Sequence, residues 1–68
     1  MQVIFKNSCT GGIIAELRDR NYFLISVEHG RTKRDIGLKL VNRLGTSTNY
    51  KAIEIIETFI KELGESNI

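Results

Sequence analysis

The stretch YKAIEIIETFIKEL, Tyr50 to Leu63, constrains the fold more than any other. Its apolar residues Ala52, Ile53, Ile56, Phe59, Ile60 and Leu63 fall at i, i+1, i+4, i+7, i+8 and i+11. That spacing predicts a helix with one continuous apolar stripe. Thr48 or Asn49 can cap its start, and Gly64 suits the position just past its end. Such a stripe is stable only when something covers it. The remaining residues must therefore supply an apolar surface of matching size.

They do so with period two rather than 3.6. MQVIFKN alternates Met1, Val3 and Phe5 with Gln2, Ile4 and Lys6. IIAELR, YFLISVE and RDIGLKLVNR read as three further strands, rich in Ile, Leu, Val, Tyr and Phe and separated by polar breaks. In the SCTGG turn, the two glycines supply freedom at positive φ. The expected order is ββββα. This is an α+β fold with an antiparallel meander of three or four strands and one C-terminal helix on one face. Residues 1–68 make one small domain.

Parity fixes the expected faces, because a one-residue slip moves a whole apolar set to the other side. Pairing Leu17 with Phe23 leaves Asp19-Arg20-Asn21 as a loop, with Asn21 suited to the left-handed conformation. A turn at His29-Gly30, or one over residues 29–32, then brings Ile36, Leu38 and Leu40 onto the same side as Phe23, Ile25 and Val27. The helix would cover that side. The uncovered side would carry Ile14, Glu16, Arg18, Tyr22, Leu24, Ser26, Glu28, Arg31, Lys33, Asp35, Lys39 and Val41.

A domain of this size buries only about 60% of its unfolded surface, so a staple or a partner would help. One cysteine cannot form an internal disulfide, and one cysteine with one histidine makes no zinc set. No cofactor or metal is expected, and self-association, as a dimer, is. Catalysis is not expected either, since no nucleophile–base pair or carboxylate pair suggests itself. His29 reads as a turn residue and Cys9 as a small turn residue without an activating neighbour. SCTGG lacks the spaced glycines and the following helix of a phosphate loop. No apolar run reaches the roughly 18 residues of a membrane span, and the first residues do not read as a signal peptide. A cytoplasmic location is the expectation, with no membrane partner.

Charge gives the functional lead. Residues 1–45 hold eight basic and four acidic side chains, and residues 46–68 hold two basic and four acidic, so +4 is followed by −2. Arg18, Arg31, Lys33, Arg34 and Lys39 are the candidate phosphate contacts, with Tyr22 as a stacking or hydrogen-bonding group. They would act from the uncovered sheet face and the 28–34 hairpin, on DNA or RNA. The alternative is a protein–protein module, a homodimer or a small inhibitor or adaptor, using the same face around Ile14, Leu24 and Val41. The small size suits a regulator from a phage or mobile element. Three meandering strands and a C-terminal helix are similar in topology to the arm-type DNA-binding domains of phage integrases. They also resemble part of double-stranded-RNA-binding domains, and the single-strand-binding coactivator domains that dimerise. TSTNYKA has one lysine where a double-stranded-RNA-binding domain carries several. Fold does not imply function, and no site residue follows from this likeness.

Overall fold

A computed structural model describes residues 1–66 of the chain. Three strands come first: β1 (Gln2–Asn7), β2 (Ile13–Arg18) and β3 (Leu24–Gly30). They form one antiparallel sheet in the order β1-β2-β3. Two helices follow, α1 (Lys33–Thr46) and α2 (Tyr50–Ser66). The class is α+β, as expected, but the order is βββαα rather than ββββα.

The segment expected to be the fourth strand is α1. Its residues Ile36, Leu38 and Leu40 fit a period of two, but Ile36, Leu40 and Leu44 also fit one face of a helix. The helix prevails because its start is well capped. Thr32 is extended, and its Oγ1 accepts a hydrogen bond from the Asp35 amide at 3.2 Å. The pattern Thr32-x-x-Asp35 is thus a helix start in the sequence itself. Ile36 and Leu40 are fully buried, while Leu38 is 59% exposed. There is consequently no 28–34 hairpin: β3 runs through His29 and Gly30, and Arg31-Thr32 leads directly into α1.

The second helix begins and packs as the sequence predicts. Asn49 rather than Thr48 caps it, its Oδ1 accepting from the Lys51 amide at 2.9 Å. Ile56, Phe59 and Leu63 are buried, and Ile60 packs beside them. Gly64 lies inside the helix rather than past its end.

Both helices cover the same sheet face. The core joins Ala15 and Leu17 of β2 to Ile36 and Leu40 of α1 and to Ile56, Phe59 and Leu63 of α2. Val3 and Phe5 of β1, with Ile13 of β2 and Ile25 of β3, pack around it. α1 packs on β3, and α2 packs on β1 and reaches β3 as well.

The β2–β3 connection departs from the expected register. Arg18 pairs with Leu24, not Tyr22, and the loop spans Asp19 to Phe23. Asp19 organises it by accepting from the Asn21 and Phe23 amides at 2.8 and 3.0 Å. The left-handed residue is Tyr22, φ 67°, instead of Asn21. Between Leu17 and Arg18 the ladder slips, and Leu17 pairs with Ser26. The slip reverses the parity of the rest of β3. Val27 now sits opposite Glu16 on the uncovered face, and Glu28 sits opposite Ala15 on the helix side. Phe23, expected in the core, is 68% exposed, whereas Ile25 packs against the core as expected.

Candidate functional site

The uncovered face can be built row by row from the register. Its rows are Gln2–Arg18–Leu24, Ile4–Glu16–Val27 and Lys6–Ile14–His29. Glu16 sits in the middle of β2. Its carboxylate accepts from Arg18 at 3.1 Å and pairs with Lys6 at 3.3 Å. Desolvation by its neighbours pushes this carboxyl up, but the hydrogen bonds and positive charges of Arg18 and Lys6 outweigh that, and it titrates below the ordinary glutamate range. Arg18 is held further. Its Nη1 donates to the Tyr22 carbonyl at 2.8 Å, and its guanidinium lies 4.5 Å from the centre of the Tyr22 ring. Stacking and hydrogen bonding together hold Tyr22 in its unusual backbone conformation.

The other concentration of charge lies where β3 passes into α1. Arg31 and Arg34 are exposed and make no hydrogen bond or ion pair among the described residues. Lys33 extends over the Phe5 ring, 4.5 Å from its centre. Lys39 Nζ donates to the His29 carbonyl at 2.8 Å, at the outer edge of the sheet. Neither contact neutralises the lysine. Further along α1, Arg43 pairs with Glu28 at 3.0 Å and ties the helix to the strand.

The candidate residues of the sequence therefore separate. Arg18 and Tyr22 lie at one end of β3, and Arg31, Lys33, Arg34 and Lys39 gather at the other. The seven residues of β3 between them span roughly 20 Å. Lys33, Asp35, Lys39 and Val41 are on α1, over the covered side of the sheet, rather than on the uncovered face. Glu28 and Ser26 leave that face by the register slip. The interface candidates separate as well. Val41 is on the outer surface of α1, 55% exposed. Ile14 and Leu24 stay on the sheet but are two rows apart, with Glu16 and Val27 between them. Ile4 and Val27 belong to the uncovered apolar surface instead.

A cleft adjoins the basic group. The β1–β2 turn, Ser8 to Gly12, forms one wall, the end of β3 another, and the first turns of α1 the third. Reading α1 as a strand concealed it, because a strand there would pair in the sheet beside β3 rather than pack over its covered face. The Thr32-x-x-Asp35 pattern was the signal that could have revealed it. Cys9 is exposed in the same turn. Among the described residues no cluster of histidine, cysteine and acidic side chains is arranged to hold a metal, and no helix is long and apolar enough to cross a membrane. Comparison with protein-family models, with curated proteins and with solved structures yields no match.

Proposed function

We propose that this chain is a small non-enzymatic module that binds nucleic acid through the basic end of α1. The observation that carries this reading is the contrast in how the cations are used. Lys6 and Arg18 share the carboxylate of Glu16, and Arg43 pairs with Glu28. Arg31, Lys33, Arg34 and Lys39 lie within nine residues of one another in the chain, with Asp35 the one acid among them. Unneutralised cations release counterions from a phosphate backbone when they meet it, and that release supplies most sequence-independent affinity. The outer surface of α2 carries Glu54 and Glu57 with Lys51 and Lys61 among them, and so attracts a polyanion less than α1 does. Arg18 is a weaker contact in this reading than its position in the sequence suggests, since Glu16 already holds it.

The test is a titration of short mixed-sequence DNA and RNA, single- and double-stranded, over a range of salt. Three duplex phosphate contacts, from Arg31, Arg34 and Lys39, give a log–log slope of about −2.7. Failure to bind any of these probes at low salt refutes the reading.

A second reading, a homodimer through the uncovered sheet face, is favoured by one observation. Leu24 and Val27 of β3 are about half exposed, beside Ile4 and Ile14 and next to the exposed Tyr22 and Phe23. A small core also gains from self-association. Sedimentation at high micromolar concentration should then give the mass of two chains, reduced to one by Val27→Glu. A monomeric wild type excludes it.

A further inference from the structure

We infer that the cleft between the β1–β2 turn and α1 is a phosphate seat, and that it takes a backbone phosphate of the nucleic acid proposed above, on which reading it rests. The cleft is open to solvent and measures about 850 Å³, at the scale of small-molecule sites, roughly 300–1,000 Å³. Gly11, Gly12 and Gly30 contribute main chain to its floor. Gly12 and Gly30 approach so closely that a Cβ on Gly12 would stand 2.8 Å from the Gly30 carbonyl oxygen, and a Cβ on Gly11 would meet nothing within 4 Å. Only Gly11 leaves open space beside the main chain; the Gly30 carbonyl fills the place beside Gly12, and the Asp35 and Ile36 side chains cover Gly30, so the side chains around the cleft supply the contacts to an anion.

The walls supply donors. Lys39 uses one of its three N–H groups on the His29 carbonyl, leaving two. Arg31 has its whole fork free among the described residues. The Ser8 and Thr10 hydroxyls share one hydrogen bond at 2.8 Å and have further capacity. Leu38, 59% exposed, offers an apolar wall for a sugar or base beside the phosphate. Asp35 is the one acidic side chain lining the cleft, and it opposes the anion.

Three variants and two probes test this. Amide NMR is followed as the protein is titrated first with inorganic phosphate and then with a short mixed-sequence duplex and its single strands. The inference expects both probes to shift the amides of Gly11, Gly12 and Gly30. It expects Arg31→Gln and Lys39→Gln each to weaken oligonucleotide binding and to lower the salt slope by about 1. It expects Asp35→Asn to tighten binding severalfold, a gain that a folding defect cannot mimic. If the oligonucleotide binds but shifts only the outer surface of α1, the seat is refuted while the nucleic-acid reading stands. If inorganic phosphate shifts the cleft but no oligonucleotide binds, the nucleic-acid source is refuted and a free phosphate ester becomes the ligand. If neither probe binds, both readings fall.

Discussion

The uncovered sheet face and the α1 end of the molecule both carry cations, and they treat them in opposite ways. On the sheet, Glu16 draws Lys6 and Arg18 into one cluster, and Tyr22 stacks on Arg18. The result is a cluster with one net positive charge and apolar residues on either side. At the α1 end, two lysines rest on a ring and on a carbonyl, and two arginines project freely. The sheet holds two of these cations and the α1 end four, but number alone does not set their availability. What distinguishes them is whether a carboxylate lies within reach. A cation already paired has little to gain from a phosphate, so the two surfaces suit different partners.

The comparison depends first on α1 being a helix, and the largest expected effect tests that. On a strand Leu38 and Leu40 would share a face; on the helix only Leu40 is buried. Leu40→Ala should cost about 2–5 kcal/mol in urea denaturation and Leu38→Ala within about 0.5 kcal/mol. Equal losses would break the helix assignment and the site built on it. Next comes the contrast in charge. Arg31→Gln with Arg34→Gln removes two free contacts and should weaken oligonucleotide binding roughly 100-fold at about 0.1 M salt. Lys6→Gln, in the paired cluster, should change it by less than about twofold. A larger effect at Lys6 would move the interface to the sheet.

The cleft floor gives a smaller, structural prediction. Gly12→Ala forces a Cβ against the Gly30 carbonyl and should lower stability by about 1–3 kcal/mol, read by denaturant midpoint. Gly11, at φ 92°, should also resist substitution, but through backbone strain rather than crowding. The smallest effect belongs to Glu16. Its carboxyl titrates below the ordinary range in the folded chain. The stability it lends is complete above the unfolded glutamate value and is lost as pH falls through the lower folded value. Glu16→Gln should flatten this part of the acid limb; an unchanged limb would show that the cluster does not stabilise the fold.

How much of this was legible in the sequence varies by element. The stripe Ala52 to Leu63 has a single reading, since no strand explains residues spaced at three and four. Strands β1 and β2 also appear where alternation places them, and Val3, Phe5, Ile13, Ala15 and Leu17 pack toward the core as expected. Residues 34–43 were ambiguous. Ile36-Gly37-Leu38-Lys39-Leu40 satisfies both periods, and only Thr32 with Asp35 argues for a helix. The register of β3 was not legible at all. It depends on how Asp19 closes a five-residue loop and on Arg18 holding Tyr22 at positive φ, and these contacts form only when the chain is folded.

By itself, then, the sequence determined the local periods: α+β composition, the amphipathic α2, the first two strands, and a basic segment from Arg31 to Arg43. These follow from spacing along the chain, which local backbone geometry converts directly into faces. Tertiary structure alone decided which cations stay free. Pairing is a matter of distances between strands, and one slip in β3 moved Glu28 to Arg43 and Val27 to the uncovered face. It also decided that the Ser8–Gly12 turn and α1 meet at a cleft. Nothing local brings Gly12 against Gly30; the antiparallel pairing of β2 with β3, which sets Ile13 opposite Gly30, does so, and the packing of Ile36 and Leu40 on the sheet sets α1 beside them.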